Sequence, residues 1–180
     1  MKRILIITAD KCDDSELLYP YYRVIEAGYE SVIASFEKTT VNAKYHFSLN
    51  ADISVDEIDA SAYDGLILPG GLAPEKLRQN QAVIDAVRMF DADKKPIAAI
   101  CHGQQILISA RILKDRVATC YPGIRDDLIN AGANYVNEPV VVCENLVTSR
   151  RPEDLPFFMR EFIRLLTEKE EKAKKKVGAV

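Results

Sequence analysis

The run Ala99-Ile100-Cys101-His102-Gly103 has the form small-x-nucleophile-x-small, the cysteine counterpart of the serine nucleophile elbow. It follows a strand-like apolar run, Pro96 to Ile100, and precedes a helical pattern through Ile106, Leu107 and Ala110. A strand that turns abruptly into a helix brings the positions two before and two after the nucleophile into near contact, so both must be small. The turn exposes the sulfur at a helix N-terminus, where unpaired amides and the helix dipole favour a thiolate. Cys101 is therefore expected to titrate below the ordinary thiol value of about 8.5 and to be nucleophilic at neutral pH. His102, directly after it, is a candidate catalytic or thiolate-pairing residue. Gly70-Gly71 reads either as a turn needing positive φ or as two amides that supply an oxyanion hole. Glu16 alone would be a first-turn glutamate favourable to the helix dipole. Cys12, Cys120 and Cys143 read as inert buried thiols. There is no CxxC, and His46 and His102 are the only histidines, so neither a zinc-finger spacing nor another metal site is expected.

Short apolar runs alternating with longer amphipathic ones must position these residues. Ile4 to Ile7 is a continuous β-rich run of the kind buried on both faces of a parallel sheet. A helix with Leu17, Leu18, Tyr21, Val24 and Ile25 follows and closes at Gly28. Pro20 fits if that helix begins near Glu16, which leaves the proline in the first turn. Ser31–Phe36 and Leu66–Leu68 read as further strands, and Val41 to Leu49 as a small excursion or hairpin. Ser54 and Glu57 match a capping box. Val83 to Phe90 marks a helix, Val117–Thr119 a strand, and Ile124 to Ile129 a short helix ending near Gly132. Val140–Val142 and Leu146–Thr148 flank a tight turn at Glu144-Asn145. The last helix carries an apolar stripe from Leu155 to Leu166. Residues 1–167 form one α/β domain, and 168–180 are a charged C-terminal tail, a solvated helical end or frayed segment. Ligands bind outside the carboxyl ends of an open parallel sheet. Asp13 to Glu16, Gly70-Gly71, Cys101-His102 and Tyr121 each follow a strand-like run, so a parallel sheet gathers all four on one edge.

Composition narrows the function classes. The 180 residues suit one domain, and a 48% hydrophobic, 28% charged composition excludes disorder. The net charge of −3 carries no footprint for nucleic acid, and the lysines near the C-terminus are cancelled by interleaved glutamates. No apolar run approaches the roughly 18 residues of a membrane span, and no signal peptide is evident. A cytoplasmic protein with free thiols is expected.

The chain resembles the PfpI branch of the ThiJ/PfpI superfamily. The resemblance rests on Glu16-Leu17-Leu18-Tyr19-Pro20-Tyr21, Ile33-Ala34-Ser35-Phe36-Glu37, Leu68-Pro69-Gly70-Gly71 with Ala73-Pro74-Glu75, the Cys101 elbow, and Tyr121-Pro122-Gly123-Ile124. It covers roughly residues 2 to 166. It implies a flavodoxin-like three-layer sandwich with a mostly parallel central sheet, related to the class I glutamine amidotransferases. It also implies Cys101 as nucleophile, Glu16 as a buried acid bonded to its sulfur, and His102 as the neighbouring partner. Glu75 would reach His102 across a subunit interface in a dimer or hexamer, Tyr121 would wall the pocket, and Gly71 would contribute to the oxyanion hole. At two positions the chain departs from the family pattern. Gln104 stands where proline is usual and is expected to place an amide near the mouth. Asp13 stands where a longer acid is usual, which would displace a proton shuttle by about 1 Å.

What the resemblance implies for function is a cofactor-independent conversion of reactive aldehydes such as methylglyoxal to hydroxy acids, a glyoxalase or deglycase activity. Two alternatives stand beside it: an oligomeric intracellular cysteine peptidase, and a non-enzymatic stress sensor in which Cys101 oxidises to a sulfinate held by Glu16. Expected partners are a small aldehyde or a peptide and further copies of the chain, with no nucleic acid and no membrane.

Overall fold

A computed structural model describes residues 2–177, with side chains through residue 171. In chain order the elements are β1 (Arg3–Ile7), α1 (Asp14–Glu26), β2 (Glu30–Ser35), β3 (Thr40–Asn42), β4 (Ser48–Asn50), β5 (Ile53–Ser54) and β6 (Gly65–Leu68). There follow α2 (Ala73–Leu77), α3 (Gln81–Ala92), β7 (Ile97–Ile100), α4 (Gln104–Ala110), β8 (Val117–Ala118), α5 (Arg125–Asn130) and β9 (Asn134–Tyr135). The chain closes with β10 (Val140–Cys143), β11 (Leu146–Ser149) and α6 (Leu155–Val177).

The central sheet has the order β10-β11-β7-β6-β1-β2-β5. Its pairs are parallel except the β10–β11 hairpin. The apolar runs of β1, β6 and β7 are continuous rather than alternating because helices cover both faces. Helix α1 packs on α6, and α4 packs on α2 and α3. Ile4 to Ile7 are fully buried, and so are all residues of β6 and β7. The strand order reverses between β1 and β6, so the loops leaving these two strands border the crevice where such sheets bind ligands. No helix among the described residues is long and apolar enough to cross a membrane.

Two local expectations are corrected, and two are met. Helix α1 begins at Asp14 rather than near Glu16, so Pro20 lies in its second turn and not its first. The start is set by Asp13, whose carboxylate accepts hydrogen bonds from the amides of Ser15 (3.1 Å) and Glu16 (3.3 Å) and from the Ser15 hydroxyl (2.6 Å). The end matches the expectation: the Gly28 amide donates to Ile25 O and the Tyr29 amide to Val24 O, a Schellman pair. The Val117–Thr119 strand shortens to β8 and pairs only with β9, in a parallel ribbon outside the central sheet. The capping box at Ser54 and Glu57 is present but closes a single 3₁₀ turn.

The excursion after β2 is the expected hairpin, β3 against β4. Both oxygens of Asp14 hold its tip, accepting from the amides of Tyr45 (2.7 Å) and Phe47 (2.8 Å). The charged run after Leu166 continues α6 to Val177, and Glu170 accepts from the Tyr29 hydroxyl (2.7 Å) and pairs with Lys2 (3.0 Å). Residues 178–180 of the expected tail lie outside the described residues. The β10–β11 turn is pinned from within by Arg116. It pairs with Asp91 (2.7 Å) and donates to Cys143 O (2.7 Å) and Asn145 Oδ1 (2.9 Å).

Candidate active site

The carboxyl ends of β1, β6 and β7 meet around Cys101. The loop after β1 is zipped to the loop after β6: Leu72 N donates to Lys11 O (2.9 Å), and Cys12 forms an antiparallel bridge with Gly71. This close approach is why position 71 is glycine. Its φ is +77°, and a Cβ there would lie 2.4 Å from the Asp13 amide. Gly70 has a different reason. A Cβ there would sit 2.4 Å from Glu16 Oε2 and 2.8 Å from Cys101 Cβ, between the two groups the site brings together.

Cys101 itself adopts φ +61°, the left-handed region that costs a side-chain-bearing residue about 1–2 kcal/mol. The strained turn leaves the residue 8% exposed, with Sγ 3.3 Å from His102 Nδ1. The position two after the nucleophile is small for a reason other than the expected contact within the elbow. A Cβ on Gly103 would lie 2.3 Å from Leu68 O, the backbone at the end of β6. Gly103→Ala is expected to destabilise the fold by about 3 kcal/mol, read as a lowered urea midpoint with an unchanged slope.

Glu16 descends from the third residue of α1 and is fully buried. Its Oε2 accepts the Gly70 amide (2.8 Å), and the carboxyl faces the Cys101 sulfur. Burial first and the Asp13 charge second push the Glu16 carboxyl up to about 8, against the pull of the Gly70 amide. Because the Gly70 amide is taken by Glu16, only the Gly71 and His102 amides are directed at the sulfur.

The lowered thiol expected of an elbow is corrected. Burial and the neighbouring Glu16 charge push Cys101 up, while the His102 and Gly71 amides pull it down. The two groups form a coupled pair. While Glu16 keeps its proton, its charge does not oppose the thiolate, and the two amides favour it. Burial lowers the His102 imidazole, the Lys44 charge acts the same way, and Glu75 opposes them. The balance favours the neutral ring, whose unprotonated nitrogen can take the thiol proton. Its ring stacks on Tyr121 with centroids 4.8 Å apart and planes at 28°. The Tyr121 amide donates to Cys101 O (3.2 Å), so this wall is bonded directly to the elbow although β8 lies outside the central sheet.

The remaining candidates fall in different places. Glu75 is exposed on α2, and its charge reaches His102, but no hydrogen bond joins them within the described residues. Asp13 is spent on capping α1, so its carboxylate is committed to backbone amides and acts on the site through its charge on Glu16. Gln104 is not at the mouth. It is fully buried behind the elbow, its Nε2 within 3.1 Å of Ala99 O, 2.9 Å of Thr119 O and 2.8 Å of Ser149 O. Burial pushes the Cys12 and Cys120 thiols up to about 11 and 12, in keeping with inert cysteines. Cys143, expected to be buried, is half-exposed at the end of β10. The sequence reading missed Lys44. Its ammonium lies 4.9 Å from the Tyr45 ring centroid, and its charge is felt by Cys101 and His102. A lysine in a polar hairpin carries no local signal of this, since the tether to Asp14 sets its position.

Sheet, elbow and buried carboxyl together define an α/β protein whose candidate site is one cysteine held between an acid and an imidazole. The sequence matches the DJ-1/PfpI family over residues 2–165, and the chain belongs to that family. It is 48% identical over 164 residues to the protein named deglycase PfpI of Pyrococcus furiosus, covering 91% of this chain and 99% of that one. It is 42% identical over 166 residues to the putative cysteine protease YraA of Bacillus subtilis, covering 92% and 98%. Among solved structures, a two-domain protein of Anabaena variabilis with DJ-1/ThiJ/PfpI-like and ferritin-like domains superposes with a TM-score of 0.91 at 34% identity. That match covers 93% of this chain and 48% of that one.

Proposed function

We propose that the protein converts small α-oxoaldehydes such as methylglyoxal to α-hydroxy acids, and by the same chemistry reverses early aldehyde adducts, as a glyoxalase or deglycase. The observation that carries this reading is a single sulfur set between the buried Glu16 carboxyl and His102 Nδ1, 3.3 Å away. The thiol proton passes to His102 Nδ1 as the sulfur adds to the aldehyde carbon, giving a hemithioacetal. The developing oxyanion is held by the amides of Gly71 and His102 and takes the proton from His102, which completes the hemithioacetal and frees the imidazole. A proton then moves from the former aldehyde carbon to the adjacent one, with His102 and Glu16 as base and acid. This leaves a thioester of the hydroxy acid, and water hydrolyses it to release lactate and the thiol. The sum is methylglyoxal plus water to lactate, balanced without an external electron carrier. The relative named deglycase PfpI, nearly half identical over its whole length, supports the class of reaction.

A cysteine peptidase is the second reading, favoured by the charge of Glu75 acting on His102 and by the relative named a putative cysteine protease. In that reading a second copy of the chain, in a dimer or hexamer, brings an acid to His102. Sensing through Cys101 oxidation stands third. The experiment is lactate formation from methylglyoxal by the reduced protein, run beside hydrolysis of a fluorogenic peptide. Lactate with a silent peptide is the expected result. Peptide hydrolysis without lactate would replace the first reading by the second.

A further inference from the structure

We propose that Gln104 is a positioning residue for the Cys101 site: one buried amide ties the strand behind the nucleophile to the segment that carries the Tyr121 wall. The inference rests on the proposed reaction for its effect on turnover and on geometry alone for its effect on the site. The three carbonyls that Gln104 Nε2 approaches come from three places. Ala99 O lies two residues before Cys101, Thr119 O two residues before Tyr121, and Ser149 O at the end of β11. Two N–H bonds serve three acceptors, so one proton is shared, and Oε1 is buried with no hydrogen-bond partner among the described residues. An amide accepts so incomplete an environment only where it replaces a larger loss, three buried carbonyls with no shared donor.

The connection closes a ring. From Ala99 the backbone runs to Cys101, whose carbonyl accepts the Tyr121 amide. From Tyr121 it runs back to Thr119, whose carbonyl accepts Gln104 and whose amide donates to Thr148 Oγ1 (3.0 Å). Tyr121 in turn stacks on His102, the group 3.3 Å from the sulfur. Because β8 lies outside the central sheet, no ladder hydrogen bonds fix residues 119–121 against β7. Gln104 adds a second cross-link to the bond from the Tyr121 amide to Cys101 O, and the two together set the distance from elbow to wall.

The test compares the wild type with Gln104→Met, which removes the donor at similar volume. A second variant, Gln104→Leu, removes both amide atoms and keeps the backbone N–H that bonds His102 O. Phe162→Leu is the control: it is a core change at the opposite end of β6, beside Gly65. The chain has two histidines, so the His102 ring resonance can be followed by NMR titration with His46 as internal reference. Freed from its stacked, half-buried place among Tyr121, Lys44 and Glu75, His102 in both Gln104 variants is expected to titrate closer to the ordinary imidazole value. kcat for lactate formation is expected to fall about 10- to 100-fold with a smaller change in KM. Phe162→Leu should lower thermal stability and leave the His102 titration in place. His102 titrating as in the wild type in every folded Gln104 variant would overturn the proposal and leave Gln104 a core residue. If the wild type forms no lactate, the titration alone decides this point and the reaction fails separately.

Discussion

Cys101→Ser is expected to lower kcat/KM for lactate formation at least about 1000-fold while leaving the thermal midpoint within a few degrees of the wild type. Serine keeps the shape of the elbow and occupies the same left-handed backbone, so packing changes little. What changes is the acidity of the group between Glu16 and His102. A buried hydroxyl ionises far less readily than a thiol, and the two amides aimed at the sulfur do not close that gap. The measurement is single-turnover lactate release at matched oligomeric state. A Cys101→Ser protein that retained a tenth of wild-type turnover would remove the sulfur from the mechanism and with it the hemithioacetal.

The second large effect belongs to Glu16 and is read in stability as well as rate. Burial raises this carboxyl in the folded protein to about 8, against about 4.3 for an unperturbed glutamate. Between those values the folded state binds more protons than the unfolded one, so stability falls as pH rises through the window. The contribution is fully present below about pH 4 and is lost by about pH 8, with a slope of up to about 1.4 kcal/mol per pH unit. Glu16→Gln cannot ionise, and its stability is expected to be flatter over the same range. Urea midpoints at pH 5.5 and 8 make the comparison, and a wild type as flat as the variant would show that Glu16 is ionised throughout. The same substitution is expected to lower kcat about 100-fold or more, because the amide cannot return a proton to the substrate carbon.

Much of this arrangement was legible in the sequence. The continuous apolar runs of β1, β6 and β7 announced a parallel sheet, and each was followed at once by a chemically unusual segment. The convergence of Glu16, Gly70-Gly71, Cys101-His102 and Tyr121 follows from that pattern and from the rule that ligands sit at the carboxyl ends. What was not legible is where a side chain turns. Gln104 one residue after an elbow glycine gives no sign of pointing inward to three carbonyls, and Asp13, expected as a proton shuttle, caps α1 instead. The spacing is that of an N-cap, and this local signal proved decisive for Asp13. The direction of the Cys101 shift could not come from the elbow alone, because burial and the Glu16 charge are properties of the assembled crevice.

Only 8% of Cys101 meets solvent, so an electrophile has to reach into the elbow to meet the sulfur. A terminal aldehyde carbon carries a hydrogen on one side and can approach the sulfur through a restricted opening. A carbonyl embedded in an extended polypeptide is flanked by chain on both sides. The loops after β1 and β6 are bonded to each other, and the elbow is bonded to its wall, so neither pair can part without breaking backbone hydrogen bonds. On the proposed aldehyde reading, a sulfur this deeply set on a tied backbone would favour slender electrophiles over branched ones.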